Sequence, residues 1–234
     1  RVRAVSAAPR WLTRLAPHVP PGDAWLAPEE QAVQAGLRFP PRRASWRLGR
    51  WTAKQAVLHF LARPDDRPER GAILAAPDGA PEPHLDGAPL PLCLSITHRD
   101  DRAVAALCAL PGRLGCDLEA VAHREPSFAA TYLTDDEQAW ATGPEEDLRV
   151  TLAWSAKESA LKHARTGLRR DTRSVVVEAD TRGPGPWRRG ALLDLERDLT
   201  LTLWWRGLDG GVLTVATDPD APPPEPLDAA TAAT

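Results

Sequence analysis

Two short segments hold the side chains best suited to chemistry: Gly115-Cys116-Asp117-Leu118-Glu119 and Trp154-Ser155-Ala156-Lys157-Glu158-Ser159-Ala160-Leu161-Lys162. Together they supply three carboxylates and two lysines. The chain has 29 basic residues, yet only Lys54, Lys157 and Lys162 are lysine. Ammonium and guanidinium differ in hydration, in donor geometry and in how readily they give up a proton. Lysines retained within six residues of each other, in a chain that otherwise uses arginine, point to a need for a compact charge. On a strand, period two puts Asp117 and Glu119 on one face. With a third carboxylate from a helix they offer the oxygen ligands that a hard cation such as Mg²⁺ takes, usually with water and substrate phosphate completing the shell. A cation so held neutralises charge as a phosphoryl bond breaks. Lys157 and Lys162 would add positive charge, and His98 at a strand end would donate to a phosphate or act as a base. Each piece also has a plainer reading. A lone Asp-x-Glu is commonly a solvated edge, Glu-x-x-x-Lys a surface pair one turn apart, and a single His a turn residue.

The elements that must position these groups follow from pattern. Leu92, Leu94 and Ile96 alternate with Cys93, Ser95 and Thr97, giving a strand that ends at His98. Ala103–Leu110 reads as a second strand, Pro111-Gly112 as a turn, and Leu114–Glu119 as a third, half-buried strand. Thr134-Asp135-Asp136-Glu137 has capping-box spacing. A helix over about 147–165 puts Trp154, Glu158 and Lys162 on one stripe. Four antiparallel strands are expected from Ser174 to Thr217. Upstream, Trp25-Leu26-Ala27-Pro28-Glu29-Glu30 opens a helix. A longer helix over about 40–62 lines up Arg43, Arg47, Arg50 and Lys54 as one cationic stripe. Residues 63–91 read as a loop and 219–234, rich in Pro and Ala, as a disordered tail. Strand, helix and strands thus occur before Pro111 and again after it, although no sequence repeat is apparent. The expected division is 1–110, 111–218 and the tail.

Bulk properties limit the function classes. Residues 1–60 hold ten Arg and Lys against three acids, and residues 61–150 hold eight Arg against seventeen acids. A basic N-terminal third suits an anionic ligand, or is simply a solvated charged face. A pI near 6.1 and the lack of an aromatic-basic patch argue against nucleic acid. Cys93, Cys108 and Cys116 have no metal or redox spacing and read as buried free thiols in a reducing compartment. No stretch is long and apolar enough to span a membrane. The expectation is a cytoplasmic protein.

The paired segments, about forty residues apart, resemble the signatures of the 4′-phosphopantetheinyl transferase superfamily, a G-[IV]-D-x-E strand and a W-[ST]-x-K-E-[AS]-x-x-K helix. Trp25–Glu30, Arg42-Arg43, Leu48-Gly49-Arg50 and Leu94–His98 resemble the N-terminal half of its larger, monomeric, surfactin-synthetase-activating type. The resemblance spans roughly residues 20–218. It implies an α+β fold of two similar α/β halves about a pseudo-twofold axis, with the active site in the cleft between them. It implies Mg²⁺ (or Mn²⁺), coenzyme A as substrate, and an apo acyl or peptidyl carrier protein as acceptor, with adenosine 3′,5′-bisphosphate released. Carried over residue by residue, Asp117, Glu119 and Glu158 would hold the metal. Glu158 would help deprotonate the acceptor serine, and Lys162 would stabilise the pyrophosphate. Arg43, Arg50, Lys54, Thr97, His98 and Lys157 would bind coenzyme A. Two departures stand out. The family's G-K-P loop is Gly79-Ala80-Pro81 here, and its S-H-S is Thr97-His98-Arg99.

Two other classes compete. A non-catalytic homologue that binds a carrier protein or coenzyme A should lack a metal carboxylate, and all three are present. A metal-dependent nuclease should place its lysine two residues after the acid, whereas Lys162 follows Glu158 by four.

Overall fold

The computed structural model describes residues 8–234. Its strands run β1 (Arg10–Leu15), β2 (Gly71–Ala75), β3 (Pro81–Leu85), β4 (Ala88–Pro89), β5 (Leu92–Arg99), β6 (Arg102–Ala109), β7 (Leu114–Ala120), β8 (Val175–Ala179), β9 (Arg188–Asp194), β10 (Leu199–Leu208), β11 (Gly211–Thr217) and β12 (Glu225–Pro226). The helices are α1 (Pro28–Ala35), α2 (Pro40–Phe60), α3 (Pro126–Tyr132), α4 (Asp135–Ala141), α5 (Glu146–His163) and α6 (Ala229–Ala232). One sheet has the order β12-β1-β6-β5, a second β7-β11-β10-β9-β8, and a small third β2-β3-β4.

The first two sheets meet edge to edge along β5 and β7. Side chains there take the place of a backbone ladder: Ser95 Oγ accepts from the Cys116 amide at 2.9 Å, and Thr97 Oγ1 from the Leu118 amide at 3.1 Å. The alternation that puts Ser95 and Thr97 on one face of β5 therefore occupies edge amides that would otherwise go unpaired. An apolar cluster continues beneath the seam, joining Trp11, Val104, Ala106 and Cys108 to Leu114, Cys116, Leu213 and Val215. Helix α2 lays Ala53, Ala56 and Val57 against Leu12, Ala105 and Leu107. Helix α5 lays Leu152, Ala156 and Leu161 against Val175, Leu192 and Leu203.

The architecture is α+β, as expected, and three local expectations are corrected. Residues 63–91 are not one loop, because Gly71–Ala75 and Pro81–Leu85 pair antiparallel, from Gly71↔Leu85 to Ala75↔Pro81. Nor is 219–234 disordered. β12 adds to β1 in parallel, Arg14 meets Asp228 at 2.6 Å, and Thr231 is fully buried, its Oγ1 accepting from the Thr13 amide. The Pro-rich composition hid a segment that gains its order by covering the free edge of a sheet.

The third correction concerns the repeat, which the sequence does contain. Trp25-Leu26-Ala27-Pro28-Glu29-Glu30-Gln31 answers Tyr132-Leu133-Thr134-Asp135-Asp136-Glu137-Gln138, and Trp51-Thr52-Ala53-Lys54-Gln55 answers Trp154-Ser155-Ala156-Lys157-Glu158. The contacts repeat with it. Glu30 accepts from the Ala27 and Ile73 amides and pairs with Lys54 at 2.5 Å. Glu137 accepts from the Thr134 and Val177 amides and pairs with Lys157 at 2.8 Å. Trp25 stacks edge-on against Trp51, and Tyr132 tilts against Trp154. At each occurrence one buried Glu–Lys pair thus ties a helix cap, a central helix and a strand together.

Candidate active site

The motif residues converge where α5 crosses β7. Gly115 sets how closely they approach: a β-carbon there would run into the Ser159 carbonyl and the His163 amide. A glycine is required at this point so that helix and strand backbones can touch. On the helix side, Ser155 and Ser159 both bond Thr214 of β11, at 2.8 and 2.7 Å. Small and hydroxyl residues along this face of α5 bring Lys162 directly over β7. Its ammonium donates to the Cys116 carbonyl at 3.0 Å and to Asp117 Oδ1 at 2.8 Å. Thr97 Oγ1 donates to the same Asp117 oxygen at 3.2 Å.

The other Asp117 oxygen, Oδ2, is buried and has no hydrogen-bond partner. Glu158 lies within electrostatic reach, as does Glu119. Burial is the largest cause raising the Glu158 carboxyl above its ordinary value; Lys162 opposes this, and the Asp117 and Glu119 carboxylates add to it. Burial works against the Lys162 ammonium, but Asp117, Cys116 and Glu158 outweigh it and hold its pKa above the usual value. His98 is lowered, first by burial and then by Lys162, with Asp117 opposing. It is therefore mostly neutral at pH 7, with one ring N–H to donate.

A buried carboxylate oxygen with no donor, beside two further acids, suits a divalent cation. The residues fit such an ion only in part. Glu119 faces the site, but its Oε2 takes Arg99 at 3.0 Å and Arg124 at 3.2 Å, while its Oε1 takes the Trp154 indole at 3.1 Å. Among the described residues no three His, Cys, Asp or Glu side chains are grouped as a metal site. Of the expected set, Asp117 and Glu158 act on each other electrostatically, while Glu119 is turned onto two guanidinium groups and the Trp154 indole.

The expected coenzyme A stripe fares differently. Lys54 is enclosed, donating to the carbonyls of Trp25, Pro68 and Gly71 as well as pairing with Glu30. Lys157 is equally enclosed by Glu137 and the Thr172 and Val175 carbonyls. Neither has a donor left for a phosphate, so both expectations are corrected: spacing put them on a charged stripe, and burial made them internal ties. Arg43 donates to the Leu37 carbonyl, and Arg47 is bound to Asp23 and Gln34. Arg50 is the one member left over; it lies half-buried across the Trp46 ring at 5.2 Å. Thr97 bonds Asp117, and His98 lies within electrostatic reach of Lys162 and Asp117.

Beside Lys162 opens a cavity of about 790 Å³. Its lining includes the loop 78–83, residues 92–96 of β5, Lys162, His163 and residues 165–169. Arg165, in its lining, pairs with Asp78 at 2.7 Å and Glu82 at 3.3 Å. The sequence reading missed Arg165. Its signal was its place just beyond Lys162, at the end of the helix that faces the Gly79-Ala80-Pro81 loop.

Residues 113–214 match the family model of the 4′-phosphopantetheinyl transferase superfamily. The match covers β7 to β11 and includes Asp117, Glu119, Glu158 and Lys162. No curated protein matches the chain significantly. No helix among the described residues is long and apolar enough to cross a membrane.

Proposed function

We propose that this protein transfers the 4′-phosphopantetheine group of coenzyme A to a serine of an apo carrier protein, leaving adenosine 3′,5′-bisphosphate. The observation that carries the reading is the unpartnered buried oxygen of Asp117, a carboxylate whose other oxygen holds the Lys162 ammonium and whose charge helps raise the Glu158 carboxyl. It lies beside a cleft large enough for a nucleotide-sized ligand.

In this reading the cleft is the boundary between halves, taken at Pro111-Gly112. Coenzyme A lies along it with its pyrophosphate against Lys162. A divalent cation, Mg²⁺ by its fit to oxygen ligands, would be held by Asp117 and Glu158 with Glu119 beside them, and when bound it would neutralise phosphate charge. Glu158 takes the proton of the attacking serine hydroxyl. Its raised pKa makes it a stronger base than an ordinary carboxylate. The hydroxyl oxygen bonds to the phosphorus on the pantetheine side, and the bond to the adenosine phosphate breaks. Lys162 stabilises the charge that gathers on the departing phosphate. Asp117 holds Lys162 in place through its Oδ1, and Thr97 fixes that carboxylate in turn. His98 and Arg50 are the remaining candidates from the N-terminal half for contacts to the adenosine-phosphate end. The chain acts as a monomer in this reading, both halves of the cleft coming from one polypeptide.

The test is mass spectrometry of a panel of apo fatty-acid, polyketide and peptide carrier proteins incubated with the protein, coenzyme A and Mg²⁺. A phosphopantetheine-sized mass gain on at least one carrier, lost in Asp117→Asn, is expected. Coenzyme A binding with no transfer to any carrier would favour the non-catalytic alternative.

A further inference from the structure

Cys93 and Cys108 are directly opposed on β5 and β6 and pack in the same apolar cluster beneath the seam. Opposed residues of an antiparallel pair have Cα atoms about 4.5 or 5.5 Å apart, and a disulfide accepts about 4.4–6.8 Å. The two thiols differ in access. Cys108 is buried, whereas Cys93 is part-exposed and lines the wall of the 790 Å³ cavity. Its Sγ sits 3.6 Å from the Leu114 carbonyl. Arg113, Lys162, Arg165 and Arg169 line the same cavity with Asp78 and Glu82, both of which pair with Arg165, so cations outnumber acids there.

We infer that Cys93 and Cys108 form a dithiol site on the cavity wall, which reacts with low-molecular-weight, anionic disulfides that enter the cleft. The Cys93 thiolate attacks one sulfur of the disulfide RS–SR; a Cys93–SR bond forms and RS⁻ leaves. Cys108 then attacks Cys93 Sγ, its proton goes to the departing thiolate, and a Cys93–Cys108 disulfide remains. The incoming disulfide is reduced to two thiols as the two cysteines are oxidised. The Cys108 thiol, the Leu114 carbonyl contact, Arg113 and Arg165 lower the Cys93 thiol against the burial that raises it, which makes Cys93, the more accessible of the two, the attacking sulfur. Cys116 provides an internal contrast: it is fully buried. The positive side chains around Cys93 favour an anionic reagent.

The experiment treats the reduced full-length chain with glutathione disulfide, and separately with cystamine, and reads the products by intact mass and peptide mapping. Expected is loss of two hydrogens with Cys93 and Cys108 joined and Cys116 free. Cys108→Ser should stop at one glutathione adduct on Cys93, and Cys93→Ser should not react. At low salt glutathione disulfide should react several-fold faster than cystamine, and the difference should shrink at about 1 M salt. Reaction only after denaturation, or Cys116 modified as fast as Cys93, would overturn the site. A wild-type product that stops at the mixed disulfide would overturn the pairing. Cystamine equal to or faster than glutathione disulfide would overturn the anion preference. Each reading concerns the thiols alone and stands whether or not the chain transfers phosphopantetheine.

Discussion

At the residue scale, Lys162 shows why lysine was kept in an arginine-rich chain. Its single ammonium reaches Asp117 Oδ1 and the Cys116 carbonyl together, at 2.8 and 3.0 Å. A planar guanidinium is wider and cannot occupy that point without moving Asp117 or α5. Lys162→Arg is therefore expected to lower kcat on the order of a hundredfold, as for a charge misplaced by about 1 Å. Steady-state phosphopantetheine transfer, with circular dichroism as the folding control, checks it; full kcat would mean the site needs only charge. Lys54→Arg makes the contrast. Its stripe position suggested that arginine would serve there equally well. The structure encloses its ammonium among Glu30 and three carbonyls, so the larger head should not fit. Breaking a buried ion pair costs roughly 3–5 kcal/mol. Lys54→Arg and Lys54→Met should each unfold at clearly lower urea than wild type. An unchanged midpoint would show that the pair is not a tie.

At the scale of elements, the geometry of the candidate site depends on how closely α5 lies on β7. Gly115→Ala puts a methyl group into the Ser159 carbonyl and the His163 amide. Backbone atoms cannot swing aside as a side-chain tip does, so the helix must lift. The expected result is a destabilisation of about 1–3 kcal/mol and a loss of transfer activity larger than the loss of folded protein. Thermal unfolding and kcat measured on the same sample separate the two. The recurrence of the Glu–Lys tie extends to the strands. Strand register aligns Arg99↔Arg102 of the first hairpin with Leu208↔Gly211 of the second. Asp117 faces Thr214, and Leu12 faces Ala105 in the matching place. By the same register Arg14 matches Glu119. The helix repeat puts Gln55 at Glu158 and His59 at Lys162. The positions that answer Asp117, Glu119, Glu158 and Lys162 are thus Leu12, Arg14, Gln55 and His59, none of them a carboxylate.

At the scale of the molecule, two sheets are joined by a seam of hydroxyl-to-amide bonds and a shared apolar cluster. The C-terminal segment returns to the first sheet. Removing residues 219–234 would strip β12 from β1, free Arg14 and leave the Thr13 amide without Thr231. The truncated chain should melt several degrees lower and aggregate more readily through the exposed edge. Light scattering during thermal unfolding checks both; unchanged melting would mean that this segment contributes nothing to the fold.

The sequence by itself determined the chemistry on offer and most of the elements. Period two placed Asp117 and Glu119 on one strand face, and helical spacing placed Glu158 and Lys162 on one stripe; both are local regularities that need no partner. It also held a repeat from Trp25 and Tyr132 onward that spacing alone concealed, because the intervening lengths differ. Tertiary structure decided which charges face solvent. Lys54 and Lys157 had the same type and periodicity as binding residues, and only the carbonyls and carboxylates of distant segments made them internal. The same holds for Glu119, whose claimants Arg99 and Arg124 come from another strand and a loop. The tail was misread because composition reports what a segment can bury alone, whereas its order comes from an edge that β1 left open. Burial and ion pairing depend on groups far apart in the chain, so local pattern supplied the candidates and long-range packing assigned their roles.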